Sequence, residues 1–173
     1  PTSLPGTYGI GTIGEYAYKF VDWLVDAGQA LWQILPLGPT GYGDSPYASF
    51  STFAGNPLII DLDKLVEKGW ATKADIKPAE YIKKDGNVDF GSVVWWKIPI
   101  LKKAAKNFLE NATIKDRKLY ADFCKAKKNW LEDFSLFMSI KSVYDARAAE
   151  AKPAHSMWSA YGPTPLGSPD SGA

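Results

Sequence analysis

The sequence predicts an α/β chain in which helix far outweighs strand. Three observations lead there. A helical pattern ends at a glycine and passes directly into a short apolar run, the order of half a β/α unit. A long Gly- and Pro-rich loop leaves that run. The block that follows, residues 62–150, carries helical periodicity almost throughout.

Each element has its own signal. Residues 1–11 are rich in Pro and Gly and read as a loop. Thr12 and Glu15 have the spacing of a capping box, in which the hydroxyl accepts an amide hydrogen bond and the carboxylate reaches back. Ala17, Phe20, Val21, Leu24 and Val25 then form one helical stripe, which Gly28 ends. Residues 31–37, Leu-Trp-Gln-Ile-Leu-Pro-Leu, are predicted as a buried strand. Residues 38–47 hold three Gly and two Pro in ten positions, which excludes regular structure. An irregular loop therefore leaves the C-terminal end of the strand, where β/α folds build their sites.

In the helical block, 62–68 reads as a short helix stopped by Gly69, with Asp61 and Asp63 at its start, where their charge suits the helix dipole. Residues 93–109 read as a helix in which Pro99 forces a start or a kink. Residues 117–146 read as one long amphipathic pattern carrying Phe123, Trp130, Phe134, Phe137 and Met138. The last 14 residues, from Ala160, contain three Gly and three Pro and read as irregular. The expected organisation is a helix–strand–loop segment over 1–61, a helical subdomain over 62–150 and a tail over 151–173. No internal repeat is present.

Composition bounds the function. The chain has 173 residues, 46% hydrophobic and 23% charged, typical of one soluble globular domain. A net charge of +1 gives no field for nucleic acid or an anionic membrane. The basic run over 115–128 alternates with apolar residues at helical spacing and reads as a solvated face. Cys124 stands alone, so no internal disulfide forms, and it reads as a small half-buried residue. One Cys and one His, His155, make no metal site. No stretch is long and apolar enough to span a membrane, and residues 1–6 carry no signal-peptide pattern, so the cytoplasm is the default compartment.

Several motifs have plainer explanations. Residues 9–14 match G-x-G-x-x-G, but a dinucleotide site needs a preceding strand and an acidic residue about 20 positions on, and here Pro5 precedes and Ile34 stands at the distant position. The loop needs its glycines to turn tightly. Asp89-Phe90-Gly91 has the letters of a kinase triplet without the other kinase motifs, and Asp89 reads as a helix-start residue. Asn111-Ala112-Thr113 is a glycosylation sequon, of no consequence without secretion. Glu132 and Asp133 are adjacent on a helix and diverge by about 100°, so they cannot act as a carboxylate pair. Asp44 lies alone in the Gly/Pro loop, where an Asp commonly bonds its own backbone.

The same loop crowds Tyr42, Tyr47 and Phe50 among Ser45, Ser49 and Ser51. Flat rings beside hydroxyls suit sugars, whose C–H faces stack on aromatics while their hydroxyls need partners. Rings that pin an irregular loop to a core explain the pattern equally well.

The motifs in and around this loop carry a resemblance. Residues 1–6 (Pro-Thr-Ser-Leu-Pro-Gly), 8–11 (Tyr-Gly-Ile-Gly), 53–57 (Phe-Ala-Gly-Asn-Pro) and the whole block from Trp32 to Tyr47 resemble the amino-terminal part of the amylomaltases, the 4-α-glucanotransferases of glycoside hydrolase family 77. Trp96-Lys97-x-Pro99 and the Trp130-Leu131-Glu132-Asp133 stretch with Leu136-Phe137 are similar to that family's helical insertion. The resemblance runs from residue 1 to about 158. It implies the N-terminal portion of a (β/α)8 TIM barrel with a helical insertion, incomplete and mostly helical as a fragment, with 31–37 as the second barrel strand. It implies retaining transfer of α-1,4-glucan segments between maltooligosaccharides or amylose, without an organic cofactor. Ser45 and Tyr47 would line the donor-sugar subsite, with Asp44 in the same substrate-binding turn, and Tyr42 would match a second glucan-binding surface. The family's nucleophile, acid/base and stabilising carboxylates would all lie beyond residue 173, leaving this chain inactive alone. The tail after Tyr161 departs from the family pattern, with Gly162-Pro163 in place of an aromatic-Trp-Pro sequence. A non-catalytic carbohydrate-binding fragment and a helical interaction module stay open as alternatives.

Overall fold

The computed structural model describes residues 1–83 and 86–150. The tail expected over 151–173, with His155 in it, lies outside them. Among the described residues five α-helices follow one another: α1 (Glu15–Asp26), α2 (Leu62–Glu67), α3 (Phe90–Asn111), α4 (Ile114–Ala126) and α5 (Lys128–Glu150). Two short 3-10 turns, Tyr42–Asp44 and Pro57–Ile59, lie between α1 and α2. No strand forms among the described residues, and the one ladder contact is an isolated antiparallel bridge between Thr40 and Ser49.

The buried strand predicted over 31–37 does not form among the described residues. Those residues form no ladder, Leu31 is 90% exposed, and Ile34 and Leu35 are also exposed. A strand must pair its amides and carbonyls with neighbours, and none is present among the described residues. The capping box is corrected. The N-cap of α1 is Gly14, without a side-chain cap. Thr12 instead donates its hydroxyl to Asp61 Oδ2 at 2.6 Å, and Glu15 pairs with Lys19 one turn along. Asp61 is thereby held from two sides, because its Oδ1 accepts the Lys64 amide as the N-cap of α2. Gly14 is what permits the approach: a Cβ there would overlap the Asp61 carboxylate.

Helix ends follow local rules. At the end of α1, the Gly28 amide donates to Val25 and the Gln29 amide to Leu24, a Schellman closure with Gly28 at φ +72°. Gly69 and Trp70 close α2 with the same pair of bonds, to Val66 and Leu65. Asp89 caps α3, accepting the Ser92 amide at 3.1 Å and the Ser92 hydroxyl at 2.8 Å. The helix thus begins at Phe90, three residues earlier than the periodicity alone indicates, and it continues through Pro99 rather than starting there. The single amphipathic pattern over 117–146 is two helices, parted at Lys127, whose φ of −107° and ψ of 11° leave the helical region. α1 buries Ala17 and half-buries Phe20 and Leu24, while Val21 and Val25 of the same stripe stay exposed.

The core forms around α3. One cluster joins Tyr8, Leu62, Ala71, Ile76 and Ala104; the other joins Ile10, Leu58 and Val93. Tyr8 and Ile10, two positions apart, send alternate side chains into the two clusters, so the N-terminal loop is stitched to α3. Burial, followed by a hydrogen bond to Asp63, pushes the Tyr8 phenol up to about 12. Trp70, Phe108 and Tyr120 form successive edge-to-face contacts that join the end of α2 to α3 and α4. Arg117 donates to the Leu109, Glu110 and Ala112 carbonyls and so covers the C-terminus of α3. α4 buries no side chain, in keeping with a solvated basic face, and Cys124 is half-buried and unpaired by disulfide.

Candidate functional site

The loop over 38–55 is closed at its base. The Asn56 amide donates to the Leu37 carbonyl at 2.7 Å, and the buried Asn56 side chain accepts the Leu58 amide at 2.9 Å. Asn56 is the N-cap of the 3-10 turn Pro57–Ile59, with Pro57 following it. Within the loop, Thr40 bridges Ser49, and the Ser49, Ser51 and Ser45 hydroxyls take part in bonds to nearby backbone. Such local bonds let the chain hold a shape without a ladder.

The four residues singled out from the sequence all sit at the tip of this loop. Tyr42 opens the 3-10 turn Tyr42–Asp44. Asp44 has a φ of +55°, the left-handed region that Asp tolerates better than most residues. Ser45 Oγ accepts the Tyr47 amide at 3.3 Å, which braces the turn around Pro46. Tyr47 is 75% exposed.

A cleft of about 740 Å³ lies beside the turn. Residues 1–5, residues 32–37, Phe20, Asn56 and Phe90 wall it, and Asp44 and Pro46 reach it from the loop. Ser45 and Tyr47, which alternate with them, do not line it. Asp44 is the one carboxylate on the cleft wall among the described residues. Its pKa is raised, first by partial desolvation and then by the negative charge of Asp89. Asp89 itself is held low by the Ser92 amide and hydroxyl. No group of three or more His, Cys, Asp or Glu among the described residues could hold a metal ion, and no described helix is long and apolar enough to cross a membrane.

Two features escaped the sequence reading. The loop is braced from outside by α5: Phe53 stacks on Trp130, Phe50 meets Phe137, and the Lys141 ammonium lies over Phe50. Both anchoring rings were visible, but not their distant partners. Lys97 is fully buried beneath the loop base, where its Nζ donates to the Leu58 carbonyl at 2.7 Å. Its signal was a lysine on the helical stripe of Val93, Ile100 and Ala104.

Comparison with known proteins bears on what the loop and cleft are for. The family model described as 4-alpha-glucanotransferase matches residues 1–165. The 4-alpha-glucanotransferase of Thermus thermophilus is 48% identical over 144 residues, 83% of this chain and 28% of its own length. That of Clostridium butyricum is 49% identical over 144 residues, 83% of this chain and 29% of its length. Among solved structures, amylomaltase from Streptococcus agalactiae in complex with acarbose superposes with a TM-score of 0.75 at 45% identity, covering 82% of this chain and 28% of that one. The chain thus spans little more than a quarter of the length of these relatives.

Proposed function

Because the chain belongs to the 4-alpha-glucanotransferase family, we propose that the protein it forms part of transfers α-1,4-glucan segments between maltooligosaccharides by a retaining mechanism. In such a transfer an enzyme carboxylate attacks the anomeric carbon and releases the first glucan. A hydroxyl of a second glucan then displaces the carboxylate, with one further carboxyl group giving and taking the proton.

The observation that carries this reading is the family match over residues 1–165. Retaining transfer uses two carboxyl groups about 5 Å apart. The wall described here supplies Asp44 alone. On the family pattern, the reacting carboxylates belong to the longer protein. We assign Ser45 and Tyr47 to the donor-sugar subsite, Asp44 to the same substrate-binding turn and Tyr42 to a second glucan-binding surface. An exposed ring in a turn already braced by its own hydrogen bond can stack on a sugar face with little ordering cost.

The architecture we assign is a (β/α)8 barrel, with 1–61 as a barrel segment and 62–150 as a helical insertion. Residues 31–37 would be its second strand. Exposed Leu31, Ile34 and Leu35 on a segment without ladder partners support this, since flanking strands would cover them. The partners on this reading are maltooligosaccharides and amylose, handled without an organic cofactor in the cytoplasm.

The test is disproportionation of maltotriose. The longer protein should release glucose together with longer chains, and the isolated chain should release neither. Binding of maltooligosaccharides without turnover by the longer protein would replace transfer with a carbohydrate-binding role. Transfer by the isolated chain would overturn the assignment of its chemistry to residues elsewhere.

A further inference from the structure

A fully buried ammonium needs a reason. Lys97 is 0% exposed on α3, and its Nζ donates to a single backbone acceptor, the Leu58 carbonyl. Desolvating a charge is costly, and an apolar side chain of similar volume commonly serves packing as well or better. What a lysine adds is a strong donor aimed at one carbonyl from a fixed helix.

That carbonyl belongs to the turn Pro57–Ile59, where the loop returns to the core. From Leu58 a run of hydrogen bonds leads back to the start of the loop. The Leu58 amide donates to Asn56 Oδ1 at 2.9 Å, and the Asn56 amide donates to the Leu37 carbonyl at 2.7 Å. Lys97, Leu58, Asn56 and Leu37 thus form one continuous link from α3 to both ends of the loop that carries Ser45 and Tyr47. The two aromatic contacts from α5 brace the loop farther from its base. At the loop base the Lys97 bond joins the packing of Leu58 on Val93 in tying the turn to α3.

Resting on the reading that this loop forms part of a donor-sugar subsite, we propose that Lys97 is a positioning residue for glucan transfer, fixing the loop base so that Ser45 and Tyr47 meet the sugar. It touches no substrate itself. Misplacement of a binding group by about 1 Å is enough to cost a large factor in rate, so the effect should exceed what one surface contact gives.

The experiment uses the longer protein, with Lys97→Met, Asn56→Ala and the double variant assayed on maltotriose alongside melting temperatures. Methionine keeps the unbranched stem and removes the donor, so Lys97→Met should stay folded. We expect a rise in KM and a fall in kcat/KM of about tenfold or more, with the melting temperature not lowered. The double variant should be no worse than the poorer single variant, because both break one link. A merely structural lysine would instead lower the melting temperature and the active fraction, reducing apparent kcat at unchanged KM; that outcome overturns the proposal. So does wild-type KM in both variants, or full additivity between them. If Lys97→Met does not fold, Asn56→Ala decides alone: a raised KM supports the link and an unchanged KM overturns it. A wild-type protein that transfers no glucan would overturn the functional reading and this proposal with it, whereas active wild-type protein with unaffected variants removes the role of Lys97 only.

Discussion

Phe53 stacks on Trp130 with ring centroids 6.0 Å apart and planes inclined by 26°, joining the loop over 38–55 to α5. Phe50 makes a second contact to the same helix, 6.1 Å from Phe137. The loop has one isolated bridge of its own, so these rings supply much of its lateral support. Trp130→Ala in the longer protein should cost about 1–2 kcal/mol, because an aromatic pair contributes beyond its buried area. Hydrogen exchange at residues 49–54 should speed up while α3 stays protected. Unchanged exchange there would mean that the serine bonds hold the loop without α5.

Gly14→Ala should be destabilising out of proportion to its size. The added Cβ would overlap the Asp61 carboxylate, which accepts the Thr12 hydroxyl and caps α2 at once. Moving Asp61 disturbs both bonds. The expected loss is about 1–3 kcal/mol by urea denaturation, in the range for overpacking a tight site. An unchanged midpoint would show that Asp61 can retreat freely.

Lys97 gives stability a pH dependence whose sign can be worked out. Burial depresses the ammonium to about 8 from an ordinary value of 10.5, with Asp61 partly opposing. Between those values the unfolded chain holds the proton more often than the folded one, so stability rises with pH across that window. Below about pH 8 the full penalty is present, on the order of 3 kcal/mol for a shift of this size. The difference in unfolding free energy between Lys97→Met and the wild type should therefore change in favour of the wild type from pH 7.5 to 10.5. A constant difference would show that the lysine titrates normally.

Tyr47 stands 75% exposed, so its removal should leave folding nearly untouched. In the longer protein Tyr47→Ala should lower kcat/KM for disproportionation by about tenfold, from lost stacking that strengthens as the sugar ring flattens. Tyr47→Phe should cost less if stacking dominates and nearly as much if the hydroxyl bonds the sugar. Full activity in Tyr47→Ala removes the residue from the subsite. A collapsed melting temperature would mean that the ring pins the loop.

Where the sequence succeeded, the controlling contacts were local. Gly28 and Gly69 close their helices through bonds to carbonyls a few residues back, and Asp61 and Asp89 cap theirs through amides three residues on. Family membership was legible for a related reason: the block from Trp32 to Tyr47 carries its pattern in consecutive residues.

The sequence by itself determined the helices that start after Asp61 and Asp89, the irregular loop after Leu37 and the family. The tertiary structure decided that Thr12 bonds Asp61 rather than its own helix, that Trp130 and Phe137 brace the loop, and that Lys97 is buried under it. It also decided that residues 31–37 form no strand among the described residues. The physical reason is common to all of these. A helix satisfies its amides and carbonyls within its own segment, whereas a strand, a buried ammonium and a stacked ring each depend on partners far away in the chain.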